Sequence, residues 1–189
     1  RELGIPANRF LVVYVAAFVQ GKNHRGFLRL LPELIDRILS LQVVFIGEGP
    51  LRARVERNIR RLGIAAHVQC AGFRDDVDKW HRAANLAVSP SLEESLPNAL
   101  IEAQYSGTPV VAYDEAGVRE CFLPGKSGIL VPRDDGPGLV SAIAGLASDP
   151  ARIEDMGVAA REFAATHFDP ELLIESLYPS VVDLAGRGR

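Results

Sequence analysis

Cysteine is nearly absent from this sequence, and that scarcity argues against two classes of protein. Cys70 and Cys121 are its only two. Each sits in an apolar stretch and neither belongs to a C-x-x-C pair, so no disulfide framework or thiolate zinc site is encoded. The reading is two reduced thiols in a cytoplasmic protein. Long basic runs are missing too: none exceeds Arg60-Arg61, and 21 Lys and Arg against 24 Asp and Glu leave a net charge of −3. That balance argues against a nucleic-acid partner. No apolar run approaches the ~20 residues of a membrane-spanning helix, and no secretory leader opens the chain. The histidines, His24, His67, His81 and His167, lack metal-ligand spacing. There is no internal repeat and no low-complexity linker.

What is present is 189 residues, 48% apolar and 24% charged, enough for one globular domain whose core needs no staple. Residues 10–16 are a continuous β-rich run, as a strand buried on both faces requires. Residues 25–39 then place Phe27, Leu30, Leu31, Leu34, Ile35 and Ile38 on one helical face. Further strands are predicted at 42–46, 67–71, 86–89, 109–112 and 128–131. Helices are predicted at 51–62, 75–84 and 97–106, with a short one at 118–122. From about 138 to 185 the pattern reads as two or three helices, with Pro150 and Pro170 near their starts. This alternation specifies an α/β fold: a doubly wound, Rossmann-like parallel sheet of about six strands with helices on both faces, one domain over 1–189. Ligands of such sheets sit beyond the carboxyl ends of the strands, where strand order reverses. The loops to inspect are therefore 17–23, 47–50, 72–76, 90–98 and 113–117.

The most informative of these runs from Ser89 to Glu102. A strand ends, a loop carries Glu93 and Glu94, and a helix is predicted to begin near Ser95, Leu96 and Pro97. Ser95 has the chemistry of an N-cap, and Pro97 suits a first turn, where its missing N–H is harmless. The free N–H groups and dipole of that turn favour an anion such as a diphosphate. Asn98 and Glu102 share a helix face, with Glu94 approaching from the entry loop. A carboxylate accepts hydroxyl hydrogen bonds and repels phosphate. Carboxylates on either side of an anion site therefore suit a sugar, a diphosphate and a ribose in a row. Against that reading stands a plainer one, in which Glu94 complements the helix dipole and Glu102 is merely solvated.

The E-x7-E spacing of Glu94 and Glu102 resembles the signature of retaining glycosyltransferases of the GT-B fold, family 4 in particular (glycosyl transferases group 1). The similarity continues through residues 103–112, which end in Gly107-Thr-Pro-Val-Val-Ala112, and through Gly117, Glu120, Gly125 and Gly128. Upstream, Gly47 and Gly49 in 45–50, and Gly72, Phe73 and Arg74 in 70–74, are similar to the two nucleotide-side loops. The resemblance implies the donor-binding C-terminal half of a GT-B fold, acting on a UDP-, GDP- or ADP-sugar with no cofactor and no metal. By it, Glu94 would bind hydroxyls of the transferred hexosyl group and Glu102 those of the ribose. Backbone N–H groups over 95–98 would hold phosphate and sugar oxygens, 72–74 would line the base, and Lys22 would stabilise the departing diphosphate. An N-terminal Rossmann-like acceptor domain would precede this chain, which alone would transfer little or nothing. Any membrane association, at the inner face, would come through that missing part.

Two positions depart from the pattern. The family usually sets an arginine a few residues before the lysine, whereas here Ala17, Phe18 and Val19 fill the stretch; Arg25 follows, inside the next helix. Ser95 also replaces the glycine common after the first glutamate, which narrows the sugar pocket. The missing arginine motivates an alternative, a catalytically decayed nucleotide-binding module; a sugar-nucleotide epimerase of GT-B fold is another. Several shorter matches are set aside. Asp76 and Asp78 spell D-x-D, but at a helix start acids answer the dipole. Gly125-Lys-Ser127 lacks the first P-loop glycine, where Glu120 stands. Trp80 reads as helix packing, and His24 is assigned a surface or capping role ahead of contact with phosphate.

Overall fold

The computed structural model describes residues 3–168. Pro170 and the rest of the helical expectation up to 185 lie outside the described residues. Six strands follow one another as β1 (Phe10–Val15), β2 (Leu41–Ile46), β3 (Val68–Gly72), β4 (Leu86–Ser89), β5 (Val110–Tyr113) and β6 (Gly128–Val131). Between and after them come α1 (His24–Arg37), α2 (Arg52–Arg61), α3 (Val77–Ala83), α4 (Asn98–Ser106), α5 (Gly136–Ala147) and α6 (Pro150–His167). Two 3-10 turns, Gln20–Lys22 and Val118–Glu120, complete the order. All pairings are parallel, and the sheet runs β3-β2-β1-β4-β5-β6. This is the doubly wound arrangement, with its switch point between β1 and β4.

Alternation along the strands divides the core into two layers. Val12 and Tyr14 of β1 point to a layer closed by Phe27, Leu31 and Leu34 of α1, Val55 and Ile59 of α2, and Leu139 and Ile143 of α5. Leu11 and Val13 face the opposite layer, with Trp80 of α3, Leu100 and Ala103 of α4, and Phe122. Because both faces are covered, β2 is buried at every residue, Gln42 included, as the apolar run over 43–46 requires. Trp80 belongs to this core, as its helical spacing with Val77 and Ala84 predicts.

One boundary moves in a way that matters. The sequence places the start of α4 near Ser95, but the helix begins at Asn98 and Pro97 is its N-cap, in an extended conformation (φ −73°, ψ 97°). Ser95 is therefore not the cap, and among the described residues no side-chain hydrogen bond caps this helix. Proline disfavours helical geometry in the residue before it, which keeps Leu96 out of the helix. Residues 90–97 thus form a longer loop than expected, lying directly over the switch point.

Candidate functional site

Two loops diverge at the switch point, one after β1 and one after β4, and they are stitched together. Leu92 donates its N–H to the Gly21 carbonyl (2.8 Å), and the Asn23 side chain donates to the Pro90 carbonyl (3.1 Å). At the end of β1, the buried Tyr14 hydroxyl donates to the Lys22 carbonyl (2.5 Å). It then accepts from Ser91 Oγ (3.0 Å), which in turn accepts from Ser89 Oγ (3.3 Å). A buried phenol needs such partners. These also fix the turn that ends in Asn23, a left-handed residue (φ 49°) whose side chain caps α1 at Gly26.

On this frame Lys22 and Glu94 meet. Lys22 Nζ lies 2.7 Å from Glu94 Oε1, and the Glu94 side chain is only 7% exposed. They line a cavity of about 480 Å³ with Ser95, Leu92, Glu93, Glu115 and Arg133. Arg133 is itself held by the Glu115 carboxylate (2.6 Å). The arrangement can exchange partners: a ligand anion that takes Lys22 frees Glu94, an acceptor-only group, for hydroxyls.

Beside Glu94, the N–H groups of Ser95, Leu96 and Asn98 have no acceptor among the described residues, and Pro97 has no N–H to satisfy. The 95–98 segment is held by Gly117, whose left-handed φ of 71° brings its Cα against the Ser95 carbonyl; any Cβ there would overlap that oxygen. Glu102 stands one turn beyond Asn98 on α4. It is exposed and has no ion-pair partner among the described residues, and partial desolvation raises its carboxyl above the usual range.

The loops after β2 and β3 are tied to the same frame. Gly47 donates to the Gly72 carbonyl (2.8 Å), and Phe18 donates to the Glu48 carbonyl (2.9 Å). Gly47 (φ 140°) and Gly49 (φ 155°) occupy glycine-only backbone, and side chains there would run into the Ala16 and Phe18 main chain. Loop packing alone therefore accounts for both glycines. Arg74 is taken up by Asp76 through a two-point contact (2.8 and 2.7 Å) and lies 5.8 Å from the Trp80 ring centroid. What 72–74 offer a ligand is thus the main chain and the Phe73 ring, 76% exposed. Asp78 binds Arg82, so each acid of the D-x-D holds an arginine. Among the described residues no group of three metal-ligating side chains occurs.

The structure corrects one assignment: His24 is neither at the surface nor a cap. It is 3% exposed, stacked on Phe18 (4.3 Å, 18°) and tilted against Tyr14 (4.8 Å). Neither ring nitrogen has a hydrogen-bond partner among the described residues. Burial, reinforced by the charge of Lys22, pushes its pKa down to about 4. Sequence patterns assign no role to Tyr14, Ser91, Glu115 or Arg133. Ser91 and Glu115 lie in loops marked by the strand ends, and Tyr14 carried a signal of its own, a hydroxyl inside a strand with water on neither face.

Comparison with known proteins identifies the family. Residues 1–163 match the family model of glycosyl transferases group 1. D-inositol 3-phosphate glycosyltransferase 2 of Catenulispora acidiphila is 36% identical over 179 residues, 87% of this chain and 41% of that protein. The lipopolysaccharide core biosynthesis glycosyltransferase LpsD of Rhizobium meliloti is 28% identical over 99% of this chain and 52% of that one. Among solved structures, Anabaena HepE in complex with UDP superposes with a TM-score of 0.88 at 22% identity, over 96% of this chain and 50% of that one. Sucrose-phosphate synthase from Thermosynechococcus elongatus gives 0.86 at 28% identity, over 97% of this chain and 48% of that one. The chain thus spans about half the length of these relatives, or less. Among the described residues no helix is long and apolar enough to cross a membrane.

Proposed function

This chain belongs to the glycosyl transferases group 1 family, and from that premise we propose that it binds the nucleotide-sugar donor of a retaining, metal-independent hexosyltransferase. The observation that carries the reading is the Lys22–Glu94 pair over the switch point, next to unoccupied N–H donors at Ser95, Leu96 and Asn98. In this reading the donor diphosphate displaces Glu94 from Lys22 and accepts from those N–H groups. Glu94 then accepts from sugar hydroxyls, Glu102 from the ribose, and the 72–74 main chain with Phe73 borders the base.

Transfer breaks the bond from the anomeric carbon to the diphosphate oxygen and forms the bond to the acceptor oxygen on the same face. The acceptor proton passes to the leaving diphosphate, so no side chain of this chain serves as general base. Lys22 meets the negative charge that grows on that diphosphate, an effect strongest where water is excluded. The acceptor would lie on a preceding Rossmann-like domain, and this chain alone is expected to bind donor weakly and to transfer little or nothing. The free thiols of Cys70 and Cys121 suit a reducing cytoplasm. Binding of UDP by HepE makes a UDP-sugar the first donor to try. Calorimetry of the chain with UDP-, GDP- and ADP-glucose, each with EDTA, tests the reading. One donor should bind without divalent metal; heat from none of them would contradict it.

A further inference from the structure

On the other side of the Lys22 turn lies a second cavity, of about 360 Å³, between the first turns of α1 and α2. Arg25 and Arg29 of α1 and Arg54 of α2 line it, with Asn58; Asp134 is the single acid at its wall. None of the three arginines has an ion-pair or hydrogen-bond partner among the described residues. Three positive charges against one negative leave a net of +2 around this space.

Their placement runs against helix electrostatics. The first turn of each helix contains arginine and no acid, although the positive end of a helix dipole disfavours cations. Arg25 and Arg29 stand four apart on one face, a repulsive like-charge spacing. One further feature borders the same space: His24, buried with both ring nitrogens unpartnered among the described residues. One bound anion would answer the charge and the helix dipoles together, and would give the His24 ring a neighbour.

We infer that this groove is a second anion site, built for the dianionic head of a phosphate monoester and separate from the cavity of Lys22 and Glu94. Two positive charges in excess match the two negative charges of such a group, and guanidinium forks are suited to its oxygens. Asn23 and His24 border the groove while Lys22, one residue earlier, lines the other cavity. An occupant would therefore touch the turn that carries Lys22. The phosphate could come from a soluble ester or from a phospholipid head; the chemistry at the groove is the same.

The test uses glycerol 1-phosphate in calorimetry, and sedimentation with phosphatidylcholine vesicles that contain or lack phosphatidic acid. The chain should bind one of the two phosphate probes, and Arg54→Gln or Arg29→Gln should weaken that binding about tenfold. Both side chains are exposed, so loss of fold is not expected, and Arg54→Lys should restore part of the affinity as the folding control. Binding of the soluble ester identifies a soluble source; binding only to the acidic vesicles identifies a lipid head. Lys22→Met should leave this binding intact while weakening the donor, and Arg54→Gln should do the reverse, so the two sites fail separately. Binding of neither probe, or binding indifferent to Arg29 and Arg54, overturns the inference.

Discussion

At the scale of single residues, the pairing of Lys22 with Glu94 is both a lock and a switch. Glu94 is almost removed from water, so deleting its partner leaves a carboxylate without compensation. Lys22→Ala should weaken donor binding by about 10- to 100-fold, the range of a lost charge-assisted hydrogen bond, in a titration that leaves the circular dichroism spectrum unchanged. Gly117→Ala should be worse than its size suggests. With no room for Cβ beside the Ser95 carbonyl, it should lower stability by at least ~1–3 kcal/mol in urea unfolding and abolish donor heat, because the 95–98 donors move. The candidacy of Glu94 and Glu102 was legible in the sequence because strand ends mark where a doubly wound sheet binds and the spacing of the two glutamates is visible in one dimension; Lys22 was legible only through the family resemblance. Arg133 and Glu115 were not, since they enter the cavity from the loops after β6 and β5 without a residue pattern of their own. His24 was misassigned because its neighbours Tyr14 and Phe18 form a ring sandwich that sequence order does not reveal.

Among the elements, the loops after β1 and β4 matter more than any helix. The hydroxyl relay from Ser89 through Ser91 and Tyr14 to the Lys22 carbonyl spans residues 77 positions apart, too far for local sequence to announce. Tyr14→Phe keeps the ring contacts with His24, Phe27 and Phe45 and removes only the hydroxyl. It should lower stability by about 1–2 kcal/mol, the cost of a buried carbonyl left with fewer partners, and weaken donor binding through displacement of Lys22. A melting curve and a donor titration on the same sample separate the two effects. The order and type of the elements followed from apolar runs and helical spacing. The start of α4 did not, because Ser95 has the chemistry of a cap while Pro97 holds the chain extended for three more residues.

For the molecule as a whole, the buried histidines set the acid limit. Burial lowers the pKa of His24, with help from Lys22, and that of His81, against the opposing charge of Asp78, each to about 4. An unfolded histidine titrates near 6.5. Between those values the unfolded chain binds more protons, so the stabilisation from each neutral imidazole is complete above about pH 6.5 and is lost as pH falls toward 4. At about pH 5 each histidine should remove ~2 kcal/mol, and the urea midpoint of His81→Leu should fall less steeply with acid than that of the parent. The two-layer sheet, its strand order and its covered faces place one ligand site at the junction of β1 and β4, and the central claim is that this site holds the donor. A crystal structure of the chain with whichever of UDP-, GDP- or ADP-glucose binds best is the most direct test. It should show the diphosphate between Lys22 and the N–H groups of Ser95, Leu96 and Asn98, Glu94 turned from Lys22 onto the sugar, and the ribose at Glu102. A nucleotide seated elsewhere, with the Lys22–Glu94 contact unbroken, would contradict the account.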